Sequence, residues 1–206
     1  MRRRIFLAAA AVFACVATAL PAAAQNAVPA ATAFIDRLAQ RAIEGLTAKD
    51  IDAADRAERF RLIFTETFDV PTIGRFALGA PWRTASAADR EAYLKAFEDF
   101  IVATYANRFA DYGGEAIRTT GSRRGDDDEV FVASEFARTQ GAPVRVVWRL
   151  RPTGNTWRII DVIIEDVSMA ITQRDDFSAT IQRNGGRISA LIEALRSKSA
   201  AAAGRG

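Results

Sequence analysis

The hydrophobic periodicity of this chain changes at one point, the double glycine Gly113-Gly114. Before it, apolar residues recur at the spacing of a helix that is buried on one face. After it, they alternate at every second position, which is the period of a strand with one buried face. Helices followed by antiparallel strands with short turns predict an α+β fold.

The N-terminal half contains several predicted helices. Apolar residues follow the helical period over residues 34–46, 60–68 and 73–78. The longest helix is predicted to begin at the capping pair Ser86 and Asp89. It then carries a stripe of large apolar residues, namely Tyr93, Leu94, Phe97, Phe100, Ile101, Tyr105 and Phe109. Such a stripe is typical of core packing, and a wall that faces a ligand is the alternative.

Three strands are predicted from the alternating pattern. The first two, residues 130–136 and 144–151, each have one buried face. The third, from Trp157 to Glu165, is largely apolar on both faces, and Ile160, Val162 and Ile164 make one face wholly aliphatic. We expect helices to cover one side of this strand, with water reaching the other side only at the strand ends.

Both ends of the chain are predicted to lie outside the folded part. Residues 1–24 combine arginines, an apolar run and a small-residue cleavage site, which predicts a signal peptide and export. The pattern suits the general secretory route or the twin-arginine route. We expect a single domain over residues 25–199, which closes with two helices around 177–181 and 188–195, and a disordered tail over 200–206.

The residue inventory excludes several kinds of site. The chain has no His, and its one Cys, Cys15, lies in the leader. A His-based acid/base pair, a thiol nucleophile and a Cys/His zinc site are therefore excluded, and we expect no metal and no cofactor. Of the 28 Lys and Arg residues, three lie in the leader, which leaves a basic count equal to the 25 acidic residues. This balance argues against a nucleic-acid partner.

Three acids lie at the end of the aliphatic strand: Asp161, Glu165 and Asp166. Asp161 or Glu165 is a candidate for a general base, because apolar neighbours raise the pKa of a carboxyl group. Alternatively, they mark the wet end of the strand and pair with Arg158 or Arg174. We expect the second role, so that neutral substitutions change the free energy of unfolding by only about 0–1 kcal/mol each.

Three stretches of sequence occur together in the order that is typical of one protein family. They are FALGAPWRTASAADREAYLKAF from Phe76 to Phe97, WRIIDVIIEDVSM from Trp157 to Met169, and Gln173-Arg174 followed by Phe177. On these motifs the chain resembles the MlaC family of periplasmic phospholipid-binding proteins, also called the toluene-tolerance or ABC-transporter auxiliary family. The resemblance covers roughly residues 30 to 197.

The chain departs from the family pattern at two positions. The family usually has Gly where this chain has Asp166, and often has an aromatic residue where this chain has Gln173. An acid at position 166 is therefore not part of the family pattern. This weakens a hypothesis in which the three acids act together.

The resemblance implies helices packed on a curved antiparallel sheet, with an apolar cavity between them that takes the acyl tails of a phospholipid, and C-terminal helices. It also implies a monomeric periplasmic carrier that is not an enzyme. Such a carrier moves phospholipid between an outer-membrane lipoprotein complex and the MCE-type subunit of an inner-membrane ABC transporter, which maintains lipid asymmetry. A carrier of another lipid such as a hopanoid, a carboxylate-based enzyme, and an adaptor without lipid are the alternatives.

The expected cavity wall consists of apolar residues from the helices, the sheet and the matched E-x-V-S segment. These residues are Ile73, Phe76, Leu78, Phe97, Ile101, Tyr105, Val146, Trp148, Ile160, Val162, Ile164 and Val167. A charge in this wall would be desolvated without a partner, so Val167→Glu is expected to abolish lipid retention while the fold survives.

A shuttle must leave both of its partners, so its docking contacts should be modest and steered by charge. The expected docking residues are Arg75, Arg83, Arg145, Arg149 and Arg174.

Overall fold

The structure is a computed structural model, and it describes residues 27–138 and 140–203. The predicted signal peptide lies outside these residues. Within them, no helix is both long enough and apolar enough to cross a bilayer.

The described chain consists of helices, then five strands, then helices, which confirms the predicted α+β class. The first helical part comprises α1 (Ala27–Leu46), α2 (Ala53–Thr67), α3 (Val70–Leu78), the short α4 (Pro81–Thr84), α5 (Ala87–Tyr105) and a 3₁₀ helix (Ala106–Phe109). The strands are β1 (Ile117–Arg124), β2 (Val130–Phe136), β3 (Val144–Thr153), β4 (Thr156–Ile164) and β5 (Val167–Ser168). The last helices are α6 (Met169–Arg183) and α7 (Ile188–Ala203), so residues 200–203 of the expected tail are helical.

Short polar side chains begin most of these helices. Asp52, Asp69 and Ser168 cap α2, α3 and α6, each by accepting a hydrogen bond from a backbone N–H of the first turn. At α5 the predicted capping pair is present, because Asp89 N donates to Ser86 Oγ at 3.0 Å and the Ser86 hydroxyl donates to Asp89 Oδ2 at 2.7 Å. The helix starts therefore follow from local sequence.

The five strands form one antiparallel sheet in the order β1-β2-β3-β4-β5. The register shifts in β1 and again between β3 and β4, where Leu150 pairs with Ile159 and Arg149 pairs with Asp161. Ile160 is thus an extra residue in β4, and a bulge of this kind bends a strand and increases its twist. It also breaks the predicted alternation, so that Ile159 shares the helix-facing side of the sheet with Val162.

Strand β1 shows none of the apolar alternation that identified β2, β3 and β4. Its sequence is IRTTGSRR, and most of its side chains are exposed. It forms because β2 offers a hydrogen-bonding edge and α1 packs against it. The strand is therefore a product of the sheet rather than of its own sequence pattern.

Two separate hydrophobic cores hold the helices and the sheet. The helical core lies among α2, α3, α5, α6 and α7, and its largest fully buried side chains are Tyr93 and Phe97. The sheet core lies between α1, α2 and the inner face of the sheet, where Ile35, Leu150 and Ile159 are buried. Helix α2 contributes to both cores, so the two are joined along this helix.

Candidate functional site

An apolar cavity of about 240 Å³ lies where the two cores meet. One wall comes from helices α2, α3, α5 and the 3₁₀ helix, the opposite wall comes from β3 and β4, and the start of α6 completes it. The lining is almost entirely apolar. The lining residues are Phe60, Phe64, Phe68, Ile73, Phe97, Ile101, Tyr105, Phe109, Trp148, Asp161, Val162, Ile164, Met169, Ala170 and Gln173.

Aromatic rings from α2 make much of the helical wall. Phe60 and Phe64 are four residues apart, which places them in one row along the helix, and Phe68 is the extended residue that caps the end of α2. Their rings are in contact, with centroids 6.0 Å apart for the first pair and 4.9 Å for the second. Phe109 of the 3₁₀ helix extends the row, 5.9 Å from Phe60. The wall is therefore continuous and offers no hydrogen-bonding group along this row.

Trp148 presents its ring to the cavity from the sheet. Its polar atom does not need water, because the indole Nε1 donates a hydrogen bond to Ser134 Oγ at 3.2 Å. Ser134 is itself buried. A tryptophan with a satisfied N–H acts as a large apolar surface, which keeps this wall dry.

Asp161 is the only acid among the residues that line the cavity, and it is buried, with 8% of its surface exposed. Its Oδ1 accepts hydrogen bonds from Val162 N at 2.8 Å and Ala170 N at 3.0 Å, and its Oδ2 accepts one from the Ser168 hydroxyl at 2.6 Å. The expectation that Asp161 lies at a wet strand end is therefore wrong. The carboxylate ties β4 to the start of α6.

The other two acids form the turn between β4 and β5. Glu165 and Asp166 are both exposed, and both have positive φ, 47° and 66°. Their partner is Arg145, whose Nη2 lies 2.9 Å from Asp166 Oδ2 and 3.6 Å from Glu165 Oε2. The pairing with Arg158 or Arg174 that we expected is not observed. Arg158 instead donates hydrogen bonds to the last carbonyl groups of α2, including Thr65 O at 2.8 Å.

Seven of the twelve expected wall residues line this cavity. They are Ile73, Phe97, Ile101, Tyr105, Trp148, Val162 and Ile164. Of the other five, Leu78, Val146 and Ile160 are buried away from it. Phe76 and Val167 are exposed on the surface, by 41% and 53%. The bulge in β4 explains Ile160, because the residues on either side of it no longer alternate regularly.

Sequence reasoning missed Phe60, Phe64 and Phe68 as wall residues, although their helical spacing was recognised. Their period is the same for a core stripe and a cavity wall, so it does not distinguish the two. Phe109 was part of the recognised aromatic stripe. For Met169, Ala170 and Gln173, the direction in which α6 leaves the sheet places them at the cavity, and no local pattern indicated it.

The five expected docking arginines fall into two groups. Arg145 and Arg149 are engaged in ion pairs, and Arg149 Nε lies 2.6 Å from Glu129 Oε2. Arg75, Arg83 and Arg174 are exposed and line a separate surface depression.

Burial would raise the pKa of Glu129, but hydrogen bonds from Arg149 and Arg151 outweigh it, so the pKa lies below its ordinary value.

Comparison with known proteins gives a consistent result. A model of the MlaC protein family matches residues 34–197. The toluene tolerance protein ttg2D of Pseudomonas putida is 22% identical over 111 residues, which are 54% of this chain and 52% of that protein. The intermembrane phospholipid transport system binding protein MlaC of Haemophilus influenzae is 26% identical over 100 residues, 47% of each chain. The chain thus spans about half the length of these curated relatives.

The fold also matches a solved structure. The phospholipid-binding protein from Ralstonia solanacearum, determined in complex with a phospholipid, has a TM-score of 0.75 against this chain at 20% sequence identity. The match covers 84% of this chain and 98% of that one. The two proteins therefore share a fold.

Proposed function

Because the chain belongs to the MlaC family, we propose that it is a periplasmic carrier that holds a phospholipid by its acyl tails in the apolar cavity. The relatives of this chain include a protein named for intermembrane phospholipid transport, and a protein of the same fold was determined with a phospholipid bound. The single observation that best supports the proposal in this chain is the dry lining of the cavity. Transfer of acyl chains from water to such a lining is favourable by about 0.8 kcal/mol per methylene.

The size of the cavity implies that lipid uptake moves its walls. Its volume of about 240 Å³ is smaller than the roughly 300–1,000 Å³ of pockets that hold drug-sized ligands. A phospholipid with two tails needs at least such a pocket, so the helical wall has to move away from the sheet.

The geometry does not favour a carboxylate enzyme. Asp161 is the only acid on the cavity wall, and both of its oxygens already accept hydrogen bonds from the turn into α6. A general base has to come within hydrogen-bond reach of the proton that it abstracts, and three hydrogen bonds hold this carboxylate against β4 and the start of α6. We therefore propose a carrier without a catalytic step.

The proposed route of the carrier runs between an outer-membrane lipoprotein complex and the MCE-type subunit of an inner-membrane ABC transporter. The protein would act as a monomer and dock transiently on each partner in turn. Exposed arginines support the docking proposal, because charged contacts at the rim of an interface raise the association rate without making the complex long-lived.

The direct test is to purify the protein gently from a Gram-negative host and identify co-extracted lipid by mass spectrometry. We expect phospholipid at close to one molecule per protein. Recovery of a hopanoid instead would mean that the protein carries that lipid and not a phospholipid. Recovery of no lipid would contradict the proposal.

A matched pair of substitutions tests the cavity itself. Ile101 lines the cavity, whereas Ile171 is 53% exposed on α6. Ile101→Glu places an unpaired charge in the apolar wall at a cost of several kcal/mol, so we expect bound lipid to fall by at least about tenfold. Ile171→Glu makes the same chemical change at the surface and should leave the lipid content unchanged.

Val167→Glu is not a test of the cavity, because Val167 is exposed and a glutamate there would be solvated. The expectation that this substitution abolishes lipid retention is therefore replaced by the Ile101 and Ile171 pair. Circular dichroism should show that the Ile101 variant is folded. If it is not, Ile101→Phe keeps the wall apolar while reducing the space, and it should lower the lipid content in a folded protein. Equal lipid content in both glutamate variants would show that the tails bind elsewhere.

A further inference from the structure

A second depression, of about 540 Å³, lies on the surface where α3, α4 and α6 come together. Its lining residues are Thr72, Arg75, Phe76, Gly79, Ala80, Trp82, Arg83, Arg151 and Arg174. We call it the arginine cleft, after its four arginines. It shares no lining residue with the apolar cavity.

The charge of the arginine cleft is largely uncompensated. No acid is among its lining residues. Arg151 donates a hydrogen bond to Glu129 at 2.9 Å, but Arg75, Arg83 and Arg174 form no ion pair with any residue in the described part of the chain. Like charges gathered in one depression repel one another, so an anionic partner would be stabilised there.

Several contacts hold the cleft in shape before any partner arrives. The Arg174 guanidinium lies over the Phe76 ring, 5.2 Å from its centroid. On the other side, Arg90 donates hydrogen bonds to Trp82 O at 2.9 Å and Arg83 O at 3.2 Å. These contacts fix α4 and the α3–α6 junction, which reduces the conformational entropy that binding would cost.

Glycine is required at position 79, between these two sides. Gly79 has a positive φ of 68°, and a Cβ there would lie 3.5 Å from Arg174 Nε. The Arg174 side chain therefore packs closely over the end of α3. A side chain at this position would strain the backbone, because L residues rarely adopt this φ, although its Cβ would make only an ordinary van der Waals contact with the guanidinium.

The shape and composition of the cleft indicate the class of partner. Guanidinium groups bind carboxylates through paired hydrogen bonds. The cleft is wide and open to solvent rather than closed around a single ion, and it includes Trp82 and the 41% exposed Phe76. Arginine and large aromatic residues together are typical of the residues that dominate protein–protein binding energy.

We propose that the arginine cleft binds an acidic segment, rich in Asp and Glu, of a protein partner. This inference rests on the proposed function, since a carrier that loads and unloads needs a docking surface apart from its lipid cavity. It narrows the docking surface to Arg75, Arg83 and Arg174, and it adds Arg151, which the sequence did not indicate. It excludes Arg145 and Arg149, which are not among the residues that line the cleft.

The test measures binding of a short synthetic peptide of Asp and Glu residues, with the corresponding Asn and Gln peptide as its neutral control. Calorimetry on the lipid-loaded protein gives the affinity. We expect the acidic peptide to bind, and the Arg75→Glu, Arg174→Glu variant to lose at least about tenfold in affinity. The control variant Arg37→Glu, Arg183→Glu changes the net charge equally at exposed arginines outside the cleft. It should lose less than about twofold.

Four outcomes would overturn the inference. The first is an equal loss of peptide affinity in the cleft variant and the control variant, and the second is that the acidic peptide does not bind the wild type. The third is that inorganic phosphate binds as tightly as the peptide. The fourth is that the protein binds phosphatidylglycerol vesicles through the cleft arginines but does not bind the peptide. If charge reversal unfolds the protein, Arg75→Gln with Arg174→Gln provides the same comparison without new charges.

Lipid content is measured on the same samples, and we expect it to be unchanged by the cleft variants. A protein that retains lipid but does not bind the peptide is consistent with the carrier proposal and contradicts the proposal that the cleft binds an acidic segment. A protein that binds the peptide but carries no lipid supports the cleft and contradicts the carrier.

Discussion

Asp161 and the two acids that follow it share a charge but have different environments. Asp161 is buried and accepts three hydrogen bonds. The Ser168 hydroxyl that donates to it also accepts a hydrogen bond from Ile171 N at 3.1 Å, so the two side chains cap α6 together. Glu165, in contrast, is exposed, and among residues 27–138 and 140–203 it pairs only with Arg145. Burial therefore decides which acid contributes to stability.

We expect Asp161→Asn to lower the free energy of unfolding by about 1–3 kcal/mol, because hydrogen bonds to a buried charged acceptor are replaced by weaker ones. Glu165→Gln is the exposed control and should change it by less than about 1 kcal/mol. Urea denaturation of the two variants gives both values. Equal, small effects would show that the buried network adds no stability.

The same variants separate a structural role of Asp161 from a role in function. If the carboxylate only holds α6, folded Asp161→Asn protein should still carry lipid. Loss of lipid transfer at unchanged stability would instead indicate that Asp161 recognises the lipid headgroup.

At the scale of elements, the turn between β4 and β5 contains one of the two positions at which the chain departs from the family pattern, Asp166. Ile164 pairs with Val167 across Glu165 and Asp166, which makes a two-residue hairpin turn. Both turn residues have positive φ, as in a type I′ turn. Glycine adopts this conformation without steric cost, and Asp tolerates it better than most residues. The usual Gly of the family is thus explained by backbone geometry rather than by chemistry.

Two substitutions at position 166 isolate this backbone effect. Asp166→Gly and Asp166→Ala both remove the contact with Arg145, and only the first relieves the left-handed backbone. We expect the Gly variant to be more stable than the Ala variant by about 1 kcal/mol. Thermal denaturation of the two proteins under the same conditions measures the difference. A more stable Ala variant would mean that this turn does not have positive φ in solution.

At the scale of the whole molecule, stability in acid depends on carboxylates that are paired with several cations. Glu129 is bound by Arg149 and Arg151, and Asp99 is bound by Lys95 and Arg61. In both cases burial acts to raise the pKa, and the hydrogen bonds outweigh it, so the pKa lies below its ordinary value. The unfolded chain therefore binds protons more readily than the folded protein in acid.

The lowered pKa values of Glu129 and Asp99 predict how the free energy of unfolding depends on pH. The stabilisation is fully present above the ordinary carboxyl pKa of about 4.3 and is lost as the pH falls through the lowered values. Glu129→Gln removes one contribution, so it should be less stable than the wild type at neutral pH, and the difference should shrink in acid. Urea denaturation across this range tests the prediction, and a difference that grows in acid would contradict it.

The sequence alone determined the fold class and the family. Helical period, strand period and capping residues are properties of neighbours within one element, so α2, α5, β2, β3 and the start of β4 could be located without knowledge of their partners. The ordered motifs around Trp82 and Trp157 indicated the MlaC family, which the match over residues 34–197 confirms. The largely exposed strand β1 was missed, because its place depends on the neighbouring strand.

Only the tertiary structure decided which apolar residues leave space between them. Phe64 and Leu78 are both buried on helices, yet Phe64 lines the cavity and Leu78 does not. Asp161 is buried because α6 turns back over β4, and Arg151 joins Arg75 because β3 ends beside α3. Each of these relations joins residues that are distant in the chain. Local periodicity reports which side of an element is apolar, whereas the packing of whole elements determines whether that side meets another side chain, a cavity or solvent.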